Sequence, residues 1–111
     1  MDKLEIYRQA VKEILTEHGS RKTYFPEIEK QIIFDTLRDH YQILNIGWRN
    51  SKRTFGCSIH IDIKDGKIWI QENLTEIDLA KELIERGVAK EDIVLGFLSP
   101  SMRKHSEFAV T

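Results

Sequence analysis

The chain has 111 residues, 41% hydrophobic and 32% charged, with a formal net charge of −1, which fits one domain with a modest core. No apolar run spans a bilayer and the amino terminus has no signal-peptide stretch, so a cytoplasmic protein is expected. The near-neutral balance disfavours tight autonomous binding to nucleic acid, and a single cysteine, Cys57, excludes an internal disulfide and reads as a small buried hydrophobe rather than a nucleophile.

Residues 2–18 are predicted as a helix. Asp2 and Glu5 stand at capping-box spacing, Leu4, Tyr7, Val11, Ile14 and Leu15 form one apolar stripe, and Gly19 supplies a stop. A loop follows over residues 20–26. Two strands, 32–36 and 41–48, flank a polar turn at residues 37–40, and pairing Thr36 with Tyr41 sets Phe34 opposite Ile43. After the polar tip at residues 49–54, pairing Trp48 with Phe55 sets Ile46 opposite Cys57 and Leu44 opposite Ile59.

The stretch from Gly56 to Gln71 alternates apolar and polar residues about Asp65-Gly66, a dipeptide suited to a type I′ turn. A two-residue turn pairs Ile63 with Ile68, Asp62 with Trp69, Ile61 with Ile70 and His60 with Gln71. Thr75 and Asp78 have capping-box spacing before a second helix that ends at Gly87. Ile93 to Leu98 reads as a short extended segment, and the tail beyond Ser99-Pro100 as irregular, with Phe108 and Val110 as anchors. The expected fold is a single α+β domain over residues 1–111. It is a four-stranded antiparallel β-meander packed against an N-terminal helix and a helix in the C-terminal half.

Strict alternation sorts the sheet into two faces. One collects Ile33, Leu44, Ile46, Trp48, Phe55, Cys57, Ile59, Ile61, Ile63, Ile68 and Ile70, which the helices should cover. The other places Ile32, Phe34, Tyr41, Ile43 and Trp69 among Asn45, Ser58, His60, Asp62 and Gln71. A solvated antiparallel face is ordinarily more polar than this. Either the C-terminal tail covers it or another chain does. Ile32, Phe34, Tyr41, Ile43, His60 and Trp69 are therefore the predicted partner-binding surface, equally suited to a homodimer.

Two further clusters carry chemistry. His60 and Asp62 alternate onto one face about 7 Å apart, a spacing two metal ligands can share, with Glu72 or Glu76 to complete a site. No third ligand has a diagnostic spacing, and no nuclease, nucleophile-elbow, phosphate-loop or zinc motif is present, so no catalytic residue, metal or cofactor is assigned. Arg49, Lys52 and Arg53 put three cations on one tip, able to meet DNA phosphates or to form an ordinary solvated turn. Arg103-Lys104-His105 reads the same way.

Several of these strings resemble the XisI-like family, the fdxN-element excision controlling factors of cyanobacteria. They are Ile33-Phe34-Asp35, Asp39-His40-Tyr41, Gly47-Trp48, the hairpin from Gly56 to Ile63 and from Asp65 to Gln71, Thr75-Glu76, and the run from Lys90 to Phe97. The likeness extends to Pro100, Arg103 and Phe108-Ala109; Ala89 departs from it, where the family pattern has proline. The resemblance implies a non-enzymatic regulator of DNA excision during heterocyst differentiation. A separate site-specific recombinase does the cutting, and a companion controlling factor with a nuclease-like fold is the implied partner. The family supplies no catalytic residues to carry over. Direct DNA binding through Arg49, Lys52 and Arg53, and a small metal-dependent enzyme using His60 and Asp62, stand as the alternative readings.

Overall fold

The computed structural model describes residues 2–111. Asp2 caps the first helix, α1 (Lys3–Gly19), its carboxylate accepting from the Glu5 amide at 2.8 Å, as the capping-box spacing requires. The apolar stripe buries Tyr7, Val11, Ile14 and Leu15 as predicted, together with Ala10 and His18. Gly19 is not the left-handed stop that was expected, because it is the last helical residue and Ser20 caps the end. Its glycine is required by proximity: a Cβ there would run into the Ile32 side chain.

Five strands follow: β1 (Ile28–Asp35), β2 (His40–Arg49), β3 (Lys52–Lys64), β4 (Lys67–Asn73) and β5 (Ile93–Leu95). They form one sheet in the order β1-β2-β3-β4-β5. The first three pairings are antiparallel, and β5 joins β4 in parallel, setting Ile68 against Ile93 and Ile70 against Leu95. The expected four-stranded antiparallel meander is thus a five-stranded mixed sheet. The run predicted as merely extended becomes an edge strand because α2 (Leu79–Glu85) returns the chain alongside β4, and a parallel neighbour needs such a crossover.

Both tight hairpin tips are two-residue turns with left-handed backbone. Asp65 and Gly66 have φ of 54° and 76°, as the dipeptide predicted. Asn50 and Ser51 have φ of 50° and 66°, so the β2–β3 tip is also short, with Arg49 paired to Lys52 and Trp48 to Arg53. The predicted Trp48–Phe55 pairing is off by two residues at this tip, since Phe55 faces Ile46. The β1–β2 register is likewise shifted by two, with Phe34 opposite Tyr41 and Ile32 opposite Ile43.

A two-residue shift preserves faces; a β-bulge does not. Between Leu44 (opposite Cys57) and Ile43 (opposite Ile59), β3 carries one extra residue, Ser58. The alternation therefore reverses at Ser58. Beyond it, Ile59, Ile61 and Ile63 share a face with Tyr41 and Ile43, not with Leu44 and Ile46. The core contains Tyr41 and Ile43, 0% and 2% exposed, with Ile59, Ile61, Ile63, Ile68 and Ile70. Phe34 is partly buried against the same cluster, its ring 5.6 Å from that of Tyr41. Ile32 is half-buried beside Ile43 and next to Gly19. The residues expected in the core at the other end of the sheet point out instead: Trp48 is 51% exposed, Phe55 68% and Ile33 38%.

Helix α2 is capped by Asp78, which accepts from the Lys81 amide, rather than by Thr75. The Thr75 hydroxyl is occupied in a local turn, donating to Asn73 and accepting from the Ile77 amide. At the other end Gly87 has φ of 96°, its amide bonds Ile84 and the Val88 amide bonds Leu83, the paired bonds of a Schellman stop. Leu79, Ala80 and Leu83 pack with α1 on one side of the sheet, whereas Ile84 is exposed. The tail is more ordered than expected: Ser99 caps a single-turn helix, α3 (Pro100–Arg103), and Ala109 bridges Val94. Phe108 packs on the core, but Val110 is 41% exposed.

Candidate functional site: an open sheet face with a histidine–aspartate cluster

Helices α1 and α2 lie on one side of the sheet. The opposite side across β1–β3 carries Ile33, Leu44, Ile46, Trp48 and Phe55, with Cys57 beside Leu44 and Phe55 beside Ile46. Among the described residues none of the helices closes over this patch, and its aromatics stay the most exposed. A sheet apolar on both sides was expected from the sequence, but different residues make the uncovered side. The predicted surface divides: Tyr41 and Ile43 are core residues, Ile32 and Phe34 face the helix side, and only His60 and Trp69 are on the open side. The Ser58 bulge is the reason.

Trp69 is not a free platform. The Lys64 ammonium lies 4.1 Å from its ring centre and the Arg103 guanidinium 5.1 Å, while Arg103 also donates to the carbonyls of Leu95 and Gly96. The predicted basic cluster in the tail thus serves partly to seat α3 over β4. Cys57 lies on the open side rather than in the core, half-buried, and burial pushes its thiol above the ordinary range. That is opposite to what a nucleophile needs.

Next to the apolar patch, three strands converge on one polar cluster. His40 and Asp62 are cross-strand partners on β2 and β3. His40 Nδ1 is 2.7 Å from Asp62 Oδ1, and His60 Nε2 is 2.8 Å from the same oxygen. Gln42 Oε1 is 3.2 Å from His60 Nδ1, and the Gln71 amide donates to Asp62 Oδ2 at 3.2 Å. A second bulge on β4 sets Glu72, not Gln71, opposite His60 and leaves Gln71 to reach Asp62. Burial alone would push the Asp62 carboxyl up, but hydrogen bonds from His40, His60 and Gln71 together outweigh it and hold it below the usual carboxylate range. The sequence named His60 and Asp62 but missed His40. Only the register shows that a residue 22 positions away is a neighbour. Neither Glu72 nor Glu76 joins the cluster; His40 takes the place they were expected to fill.

A second group, Glu17, His18 and Glu82, lies between α1 and α2. His18 Nε2 meets Glu82 at 3.0 Å, and Arg86 binds Glu17 at 3.1 Å and Glu82 at 3.7 Å. With an arginine already balancing both carboxylates, this is an inter-helix ion network rather than a place for a cation.

At the β2–β3 tip the three predicted cations are exposed. Arg49 stacks over Phe25 at 3.9 Å and Arg53 over Trp48 at 5.4 Å, so two of the three are positioned by aromatic rings. Phe25, Trp48 and Arg49 line a shallow hollow of about 370 Å³ there.

No helix among the described residues is long and apolar enough to cross a membrane. The sequence matches the family model described as XisI protein over residues 1–110. Two solved structures from Anabaena variabilis ATCC 29413 are similar to it. One is a XisI-like protein, 42% identical with a TM-score of 0.88; the other is the fdxN element excision controlling factor XisI, 35% identical with a TM-score of 0.87. In each case 99% of this chain and 100% of the other are covered. No curated protein matches.

Proposed function

Because the chain belongs to the XisI family, we propose that it is a non-enzymatic accessory protein controlling site-specific DNA excision, in the manner that the name of its similar structure states, through protein–protein contacts on the open sheet face. The supporting observation is the uncovered patch of Ile33, Leu44, Ile46, Trp48 and Phe55 on the side away from both helices. Aromatic residues held on a rigid sheet and surrounded by polar ones are what interface centres are made of. The partner proposed is the companion controlling factor with a nuclease-like fold, which would in turn act on the recombinase that excises the element in differentiating heterocysts. The protein is placed in the cytoplasm on this reading. Co-purification with that factor tests it: Phe55→Asp should abolish capture while circular dichroism and thermal unfolding stay native. Capture undiminished by Phe55→Asp and by Leu44→Asp would overturn it.

A second reading has its own support in the tip, where Arg49 and Arg53 are stacked and exposed. Direct phosphate contact there would show as a mobility shift of duplex DNA at low salt that weakens steeply as salt rises. Absence of a shift at low salt removes this reading.

A further inference from the structure

We propose that His40, His60 and Asp62 bind one divalent transition-metal ion of the zinc class on the open sheet face. The geometry carries it. Two imidazole nitrogens from neighbouring strands and one carboxylate oxygen meet with N···O separations of 2.7 and 2.8 Å, and all three ligand atoms lie within 4.8 Å of one another. Ligands about 2.0–2.2 Å from a metal ion stand roughly 3 Å apart when they occupy adjacent positions around it. The cluster therefore needs only small side-chain adjustments to close on an ion.

The hydrogen bonds around the cluster favour the same state. Gln42 turns its amide oxygen to His60 Nδ1, so once Nε2 binds a metal ion the ring's remaining proton on Nδ1 has an acceptor waiting. Without a metal ion, Nε2 hydrogen-bonds Asp62 Oδ1 at 2.8 Å. A proton joins one nitrogen to one oxygen, whereas a metal ion accommodates both rings and the carboxylate together. Gln42 behind His60 and Gln71 behind Asp62 are the outer hydrogen bonds that fix a ligand's orientation around a metal. The two-imidazole, one-carboxylate set suits first-row divalent ions and is poor for calcium or magnesium, which prefer oxygen ligands throughout. His40 is half exposed, which gives an ion a way in, while Asp62 is largely buried.

The experiment uses the full chain without an affinity tag, titrated with Zn²⁺ and with Co²⁺ at neutral pH, and with Mg²⁺ as the control. Calorimetry should show one equivalent of Zn²⁺ bound, Co²⁺ should develop a visible absorption band, and Mg²⁺ should do neither. Imidazole nitrogen resonances of His40 and His60 should shift, with those of His18 and His105 unmoved. His40→Ala, at a half-exposed position, should keep the fold and weaken Zn²⁺ binding by about 100-fold or more; Gln42→Leu should weaken it by about 10–100-fold. No saturable Zn²⁺ or Co²⁺ binding, binding that shifts His18 or His105 instead, or unchanged affinity in His40→Ala would overturn the proposal. Phe55→Asp should leave metal binding intact, so this test and that of the docking face fail independently.

Discussion

The two sides of this sheet contain similar residues and do different things. On the helix side, Tyr41, Ile43, Ile59 and Ile61 are 0–2% exposed and packed against α1 and α2. On the other, Leu44, Ile46 and Phe55 stand on the same strands, one to four residues away, with Phe55 68% exposed. Apolar character therefore does not by itself say which side is core. The covering helices decide that, and Ser58 switches β3 from one side to the other halfway along its length. A side chain buried on the helix side stabilises the fold, whereas the same side chain on the open side is available to a partner.

The sharpest way to break the comparison is a large-to-small substitution on the covered side. Ile61→Ala should cost about 2–5 kcal/mol, read as a fall in the urea midpoint, because it leaves a cavity under both helices. Tyr41→Phe should cost about 1.5–3 kcal/mol. Its hydroxyl donates to Asp39 at 2.7 Å, and the same carboxylate receives the paired bonds from Arg8 that pin the β1–β2 turn to α1. Asp78→Ala should cost about 1 kcal/mol through loss of the α2 cap. Phe55→Ser, on the open side, should change stability by less than about 0.5 kcal/mol while abolishing association. A loss as large as that of Ile61→Ala would mean that the open side is part of the core after all.

Acid should loosen the ties that hold α1 to the rest of the fold. The Arg8 guanidinium beside Asp39 holds that carboxyl below the usual range, even though burial opposes it. At Asp92 burial would raise the carboxyl, but Lys3 at 2.8 Å and the Tyr7 hydroxyl at 2.5 Å outweigh it and lower it. Both groups have depressed values in the folded state. Their stabilisation is therefore complete above the unfolded carboxylate value of about 3.9 and is lost as pH falls through the folded values. Urea midpoints should be flat from pH 7 to about pH 5 and drop below about pH 4, with a shallower drop in Asp39→Asn.

The Ala89 amide donates to the Tyr7 hydroxyl at 3.3 Å, a bond that proline could not make. This bond ties α1 to the 3₁₀ turn at Lys90–Asp92.

Much of the fold was legible because its signals are local. Asp2 and Glu5 are three residues apart, Asp65-Gly66 is one turn, and the isoleucines of the β3–β4 hairpin fix their own register from Ile63–Ile68 to Ile61–Ile70. Gly87 ends a helix by a backbone conformation that few other residues adopt. The candidate site was only half legible. His60 and Asp62 share a strand and could be seen together; His40 could not, because its place beside Asp62 depends on how β2 is registered against β3.

By itself the sequence determined the apolar stripe of α1, the turn at Asp65-Gly66, an α+β domain and a sheet apolar on both sides, since each follows from interactions within a few residues. Only the tertiary structure decided which side is core, that Ile93–Leu95 joins as a parallel fifth strand, and that His40 meets Asp62. Periodicity counts residues along one chain, and a bulge adds a residue to one strand but not to its neighbour. Its consequence exists only in the pairing of the two.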